Sequence, residues 1–492
     1  MTKSNDKNHP DPAAAFARYR PLIDDWDAFL DAVQRPLPTC IWANQLRTNG
    51  PELKALLQQD GVDVEALSWK PDAFRVLNAK AGKQWPIIAG LYHIQEEVSM
   101  VPATLLDPQP GERVLDLCAC PGGKTAQMAV AMENTGTIVA NDLRVGRMRA
   151  LRNTIERMGL FNVTTTHRDG TAYPTQSGRF DRILVDAPCS CEGTSRKNRG
   201  VTAELLDGGF RKNVPSQLSL LKRAVRLCKP GGRIVYSTCT YAPEENEAVV
   251  NAVLKEAGPE VIRLTPARVE GLECSPGITS WGDETFLREL ENTMRVWPHQ
   301  NDSGGFFVAV IEKLADEPRI SDRRRPPEIP ADEELPLDED AERGVQYVHE
   351  WFGIPRDTME SKRVFCGRKG GYYFVSKEHR PPKIPAPDAI GLYAINTSLV
   401  FPKLSTGAAL AVGHLASRNF VELDATQLIA YVERKKFPLS ADATSSMRGR
   451  GYAVVRRRGK TIGLGFYRPN ESGGGGELES YFPKGWGWGV VD

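Results

Sequence analysis

The stretch that most constrains this chain is Val114-Leu-Asp-Leu-Cys-Ala-Cys-Pro-Gly-Gly-Lys124-Thr125. An apolar run carrying one acid stops at Pro121-Gly122-Gly123, and Thr125-Ala-Gln-Met-Ala-Val-Ala-Met132 resumes with helical character. Strand, glycine turn and helix open a doubly wound α/β domain. There the turn aims backbone N–H groups and a helix N-terminus at a ligand.

The flanking pattern agrees. Between residues 91 and 314 strands alternate with helices, as a parallel sheet requires. Strands are expected at 113–117, 137–141, 163–167, 182–186 and 233–237, and amphipathic helices at 145–158 and 216–228, the second ended by Lys229-Pro-Gly-Gly232. Strands at 294–297 and 306–311, after Asp302-Ser-Gly-Gly305, would close the sheet edge. Residues 1–90 read as a small α/β module with a polar, frayed start and a strand at 39–44. Residues 315–343, with Arg323-Arg-Arg-Pro-Pro and an acidic run from Asp332 to Asp340, read as a linker. Residues 344–492 form a second globular region with β-like pieces at 452–455 and 462–467, the run Gly473–Gly476, and Trp486 and Trp488 near its end.

The 492 residues suit about three domains. A net charge of +1 neither favours nor excludes nucleic acid, so any such contact depends on local patches. Six of the nine cysteines fall between Cys118 and Cys239, which points to chemistry or buried thiols rather than a secreted disulfide framework. The first residues have no apolar leader core and no run is long enough to cross a bilayer; a cytoplasmic, membrane-free protein is expected.

Three ligands can be weighed for the turn. A triphosphate loop needs a glycine where Cys118 stands and would be interrupted by Pro121, although Gly123-Lys124-Thr125 matches its end. The spaced glycines of a dinucleotide site are absent. S-adenosylmethionine needs no full glycine cradle. Its ribose diol suits an acid after the second strand, Asp142, and its adenine amine an acid after the third, Asp169. Each such Asp, taken singly, is more often a turn cap.

Cysteines follow the next two strands, in Asp186-Ala-Pro-Cys189-Ser-Cys191 and Ser237-Thr-Cys239-Thr. Neighbouring strand ends line one crevice, so Cys189 and Cys239 should face the cofactor and its acceptor. Cys40, Cys228, Cys274 and Cys366 read as buried hydrophobes. A zinc site built from Cys118, Cys120, Cys189 and Cys191 is disfavoured by one-residue gaps, and no metal is expected.

At these residues the chain resembles the RNA cytosine C5-methyltransferases of the NOL1/NOP2/Sun family. Asp116-Leu-Cys-Ala-Cys-Pro-Gly-Gly-Lys-Thr125, Asp186-Ala-Pro-Cys189-Ser and Ser237-Thr-Cys239-Thr resemble its central motifs. Asn44-Gln-Leu-Arg47, Gln95-Glu-Glu-Val-Ser-Met-Val-Pro102 and Gly304-Gly-Phe-Phe-Val-Ala309 fit the same pattern. Cys120 stands where alanine or glycine is common, Cys191 replaces a usual glycine, and Thr240 replaces serine. Gly391-Leu-Tyr393 and Tyr481-Phe-Pro-Lys-Gly-Trp486 resemble the tail of the bacterial 16S ribosomal RNA methyltransferase F branch, which carries a PUA-like RNA-binding module.

The resemblance implies a Rossmann-like class I methyltransferase domain with S-adenosylmethionine bound by Cys118, Ala119, Cys120, Pro121, Gly122, Gly123, Lys124, Asp142, Asp169 and Asp186. It implies that Cys239 adds to C6 of cytosine, Cys189 aids release, Asp186 shares a proton with the base, and Lys124 assists less definably. Asp186 should then be at least partly protonated. Ribosomal RNA, free or in the small subunit, is the expected partner, with no obligate protein partner indicated. Arg196-Lys-Asn-Arg199, Arg434-Lys-Lys436, Arg448, Arg450 and Arg456-Arg-Arg458 are expected to meet its phosphates. Transfer RNA as substrate, or a non-catalytic RNA-binding or assembly role, are the alternatives.

Overall fold

The structure, a computed structural model, describes residues 11–198, 200–201, 212–317, 339–360, 362–366, 371–396, 399, 401, 403–471 and 473–486. Four antiparallel strands come first: β1 (Thr39–Ala43), β2 (Val64–Leu67), β3 (Lys70–Val76) and β4 (Tyr92–Ile94), ordered β2-β3-β1-β4. β4 lies past residue 90, so this sheet extends into the stretch assigned from sequence to the next domain. The helices Pro12–Phe16 and Trp26–Gln34 instead pack their Phe16 and Phe29 on Tyr241 and Trp297 of the central domain.

The central sheet holds β5 (Arg113–Asp116), β6 (Thr137–Asn141), β7 (Val163–Thr166), β8 (Phe180–Asp186) and β9 (Cys228–Thr238), parallel in the order β7-β6-β5-β8-β9. Side chains alternate across it. Val114, Ile138, Leu184 and Val235 enter one core, and Leu115, Val139, Ile183 and Ile234 the other. Burial on both faces explains why these strands read as continuous apolar runs. The helix Val145–Met158 falls where its pattern places it, whereas its counterpart runs Val214–Leu227. β9 then starts at once, at Cys228. Lys229-Pro-Gly-Gly232, expected as a helix stop, forms an irregular entry to the strand, with the register against β8 shifting between Phe180 and Arg182.

After β9 come β10 (Ile262–Thr265), β11 (Ser275–Pro276), the short hairpin β12 (Ser280–Trp281) and β13 (Glu284–Thr285), β14 (Met294–Val296) and β15 (Phe306–Lys313). β15 pairs antiparallel with β9, β10 and β14.

The C-terminal region begins with the helix Glu339–Phe352, whose start lies inside the stretch read as a linker; residues 318–338 are outside the described set. Val345, Val348 and Phe352 are buried along it. β16 (Lys362–Cys366), β17 (Gly371–Ser376), β19 (Leu392–Asn396) and β20 (Lys403–Leu404) make one sheet, while β18 (Ala389–Ile390) joins the central sheet beside β7. The last sheet is β21 (Phe420–Glu422), β22 (Lys436–Leu439), β23 (Gly451–Arg457), β24 (Lys460–Pro469) and β25 (Gly476–Ser480), in the order β21-β23-β24-β25-β22. Its Val421 and Leu478, with Tyr431 of the helix Ala425–Val432, share a core with Ile41 and Tyr92 of the N-terminal sheet and Leu53 of the helix Gly50–Gln59. Among the described residues no helix is long and apolar enough to cross a membrane.

Candidate active site

Strand order reverses between β5 and β8, and in open α/β sheets ligands bind outside the carboxyl ends at such a point. A cleft of about 730 Å³ lies there. Cys118, Cys120, Lys124, Asp142, Asp169, Asp186, Cys189 and Cys239 all line it. Ala119, Pro121, Gly122 and Gly123 shape the turn without lining the cleft.

The glycines serve packing. Gly122 has φ +105°, and a Cβ there would sit 2.7 Å from Leu151 Cδ1 on the adjacent helix; one on Gly123 would sit 3.1 Å from Gln95 Oε1. The turn is held by the Ala119 N–H donating to Asn141 O (2.8 Å) and the Cys120 N–H donating to Asp142 Oδ2 (3.1 Å). Asp142 Oδ1 accepts from the Arg144 N–H (2.9 Å), so this buried acid sets the loop as well as facing the cleft. Asp169 is exposed, and its Oδ1 accepts from the Thr171 N–H (2.9 Å) and hydroxyl (2.8 Å), making it a turn cap that borders the cleft.

Asp186 ends β8. Its Oδ2 accepts from Lys124 Nζ at 2.8 Å and its Oδ1 from the Ser237 hydroxyl at 2.8 Å. Both contacts use it as an acceptor. Burial pulls the Lys124 ammonium toward neutrality, but the Asp186 ion pair outweighs that and keeps it above the usual lysine pKa. Lys124 also lies 5.2 Å from the centre of the Phe306 ring, which lines the cleft. Beneath them, Asp116 accepts from Thr125 Oγ1 (2.7 Å), while its buried Oδ1 has no hydrogen-bond partner among the described residues. Burial, and then Asp186, raise its pKa to about 7 against the opposing Thr125 hydrogen bond.

Cys189 Sγ and Cys239 Sγ are 3.5 Å apart. Cys191, which sequence reading did not place in the site, brings a third sulfur: all three Sγ atoms lie within 4.8 Å of one another. S–H donation from Cys189 and Cys239 pulls the Cys191 pKa down to about 3, whereas for Cys239 the lowering by Cys189 is outweighed by Cys191 and burial, which hold it well above the usual cysteine pKa. Sulfur neighbours and burial together hold the Cys189 thiol well above the usual cysteine pKa. Burial, then the acids around it, likewise keeps Cys118 protonated. The four-cysteine set weighed from sequence does not gather. Among the described residues, Cys239 rather than Cys118 or Cys120 joins Cys189 and Cys191. Cys40 and Cys228 are buried and Cys274 is half-buried, while the Cys366 side chain lies outside the described residues.

Two loops carry these thiols, and acids lock the loops together. Glu245 accepts from the Ser190 N–H (2.9 Å) and from Asn213 Nδ2 (3.2 Å), and Ser190 Oγ meets Thr240 Oγ1 at 2.7 Å. Glu192 accepts from Tyr19 Oη (2.9 Å) and the Tyr241 N–H (3.1 Å), which ties the N-terminal helices to both loops. The Gly193 N–H donates to Cys239 O (2.9 Å) and the Gly305 N–H to Gly193 O (3.0 Å). A Cβ on Gly193 would fall 2.1 Å from Gly305 O. The sequence signal for these supports was only their place inside the cysteine-bearing stretches and in Pro243-Glu-Glu-Asn246.

The expected phosphate-binding arginines divide. The Arg196 side chain is 1% exposed; it donates to Arg35 O, Pro36 O and Ser303 O and pairs with Asp302, so it is a clamp. Arg456 donates to Gly413 O and Ala416 O, Arg457 to Leu423 O, and Arg458 pairs with Asp60 at 2.9 Å. Lys197, Arg434, Arg448 and Arg450 are exposed, and Arg199 lies outside the described residues.

A family model described as 16S rRNA methyltransferase RsmB/F matches residues 103–312. The chain is 30% identical over 466 residues to the ribosomal RNA small subunit methyltransferase F of Aeromonas hydrophila, covering 92% of each. It is 36% identical over 296 residues to a tRNA (cytosine(49)-C(5))-methyltransferase of Pyrococcus abyssi, covering 59% of this chain and 93% of that one. It spans 36% of the length of the mouse and human 28S rRNA (cytosine-C(5))-methyltransferases it also matches. A solved structure, "Crystal Structure of PH0851", superposes with a TM-score of 0.55 at 33% identity, over 64% of this chain and 70% of that one. Fold and cleft thus define a methyltransferase of the class I type. The chain belongs to the RNA cytosine-C5-methyltransferase family that these relatives and the RsmB/F model represent.

Proposed function

We propose that this protein transfers a methyl group from S-adenosylmethionine to C5 of cytosine in RNA, with ribosomal RNA of the small subunit as substrate. The observation that carries the reading is the pairing of two thiols, 3.5 Å apart, with the Lys124–Asp186 ion pair in one cleft at the strand switch. The likeness to the Aeromonas enzyme over 92% of both chains favours ribosomal over transfer RNA.

The residues fit the cofactor. Acids at three successive strand ends, Asp142, Asp169 and Asp186, border the cleft, and Leu143 beside them is 59% exposed, an open apolar side chain of the kind a flat heterocycle packs on. The volume of about 730 Å³ holds a ligand of this size with room for a base. When bound, S-adenosylmethionine supplies the sulfonium methyl that C5 of the activated ring accepts.

Cytosine C5 is a weak nucleophile, and covalent catalysis remedies this. The Cys239 thiolate adds to C6, forming a C–S bond and pushing electron density toward C5 and N3. Cys189 donates to Cys239 beforehand and steadies its charge. Asp186 meets the N3/N4 edge, and the proton that edge needs comes from the Lys124 ammonium bonded to it. Loss of the C5 proton to a solvent base, with return of the N3 proton to Lys124, then reforms the C5–C6 double bond and expels Cys239 as thiolate, with Cys189 assisting release. Exposed Arg144, Arg147 and Lys197 at the cleft rim, and Arg434, Arg448 and Arg450 on the C-terminal region, meet RNA phosphates; that region serves as a PUA-like RNA-binding module, and the N-terminal sheet assists it.

The test is to incubate the protein with methyl-labelled cofactor and separate RNA fractions and to map the modified base. Label at cytosine C5 of small-subunit RNA, abolished in Cys239→Ala, is expected. Label confined to transfer RNA would replace the substrate, and undiminished labelling by Cys239→Ala would end the mechanism.

A further inference from the structure

The mechanism uses two sulfurs of a group of three. We propose that Cys189, Cys191 and Cys239 together bind a soft divalent metal ion, zinc, and that its occupancy removes the Cys239 sulfur from reaction. The binding site stands on geometry alone, while its effect on catalysis rests on the function proposed above.

The three Sγ atoms come from the loops after β8 and β9, and all lie within 4.8 Å of one another. Zinc–sulfur bonds of about 2.3 Å in tetrahedral geometry put sulfurs about 3.8 Å apart. The Cys189–Cys239 spacing of 3.5 Å already meets this, and a small rotation brings in Cys191. The loops are preorganised: Ser190, between two of the cysteines, is fixed by Glu245 and Thr240, and Gly193 bonds the Cys239 carbonyl. All three residues line the cleft, which gives an ion its entry and leaves a fourth position for water.

Cys191 is the informative member. Its backbone sits at φ +61°, ψ +24°, a left-handed conformation that glycine adopts without strain. A side chain is therefore kept where the backbone disfavours one, and that side chain is a thiol in reach of both others. Among the described residues the ligand group holds sulfur alone, which selects thiophilic ions over magnesium or calcium. Binding displaces the thiol protons, and a Cys239 thiolate whose charge is drawn onto zinc and whose position is fixed by the metal is a weakened, misplaced nucleophile for C6 of a pyrimidine.

The full chain, metal-free and under a phosphine reductant that excludes disulfides, is titrated with zinc against a chromophoric indicator, and with cadmium to read thiolate charge-transfer absorbance. One equivalent bound, lost in Cys191→Gly with an unchanged far-ultraviolet dichroism spectrum, is expected. Zinc should also suppress iodoacetamide labelling of Cys189 and Cys239 in the wild type but not in Cys191→Gly. No bound equivalent, equal binding by Cys191→Gly, or labelling indifferent to zinc would each overturn the site. If zinc binds as expected while Cys239→Ala still methylates RNA, the site stands and its effect on catalysis falls.

Discussion

Cys189 and Cys239 are the same chemical group 3.5 Å apart, so only their surroundings can separate their roles. Cys239 follows β9 and faces Lys124 and Asp186, whereas Cys189 follows β8 and lies in hydrogen-bond reach of the Cys239 sulfur. Replacing Cys189 by alanine should leave addition intact and slow elimination, so protein should accumulate on RNA as an adduct resistant to denaturation. A gel lacking that band would remove Cys189 from the release step. Asp142 offers a different test, because its carboxylate both pins Cys120 and faces the cleft. Charged hydrogen bonds contribute about 1.5–3 kcal/mol each, so Asp142→Ala should weaken cofactor binding about 10- to 100-fold in calorimetry. These residues were legible in the sequence because each stands just past the end of a strand of the parallel sheet. Arg196 and Arg456 were misread for the converse reason. A guanidinium capping buried carbonyls and one facing phosphate look alike until the chain is folded.

At the level of elements, the active arrangement is two loops held against each other at glycines. The Cys191 stretch turns back through Gly193, whose N–H reaches Cys239 O and whose own carbonyl takes the Gly305 N–H at the start of β15. Gly193→Ala would drive a methyl to 2.1 Å from Gly305 O, so the loops must part. Turnover should fall about 100-fold or more, since a 1 Å misplacement of reacting groups costs that much. Cofactor affinity, set on β5 and β6, should stay within a few-fold. Equal loss of both would show that the loops do not move independently of the cofactor side. The strands of the central sheet were readable as apolar runs, but two features were not. β9 absorbs Lys229-Pro-Gly-Gly232 because its pairing with β8 shifts register there, and β18 is a two-residue strand that exists only through its partner β7.

Across the whole molecule, the C-terminal region docks on the central sheet through a buried neutral histidine. His379 Nδ1 faces Gly136 O (3.3 Å) and so donates, which leaves Nε2 to accept from Thr164 Oγ1 (2.7 Å); β18 pairs with β7 beside it. Burial, with Arg113 nearby, pushes the His379 pKa down to about 4. In the unfolded chain it titrates near 6.5, so between those values the unfolded state binds the extra proton and stability falls as pH falls. Fully expressed, that is about 3 kcal/mol lost on going from pH 7 to below 4. His93, half-buried at the N-terminal sheet and lowered to about 3 chiefly by desolvation, acts with the same sign. Glu245 and Asp116, both raised to about 7 chiefly by burial, act oppositely, because the folded state holds their protons longer and gains stability as pH falls toward 4. The wild-type profile is a partial cancellation, so the informative quantity is a difference. Denaturant unfolding of His379→Gln and wild type at pH 7, 6, 5 and 4 should show the variant less stable at pH 7 and the gap closing as pH falls. A gap independent of pH would mean that His379 titrates alike in the folded and unfolded chain, and a gap that widens as pH falls would mean that it is protonated in the folded protein and that the docking depends on its charge.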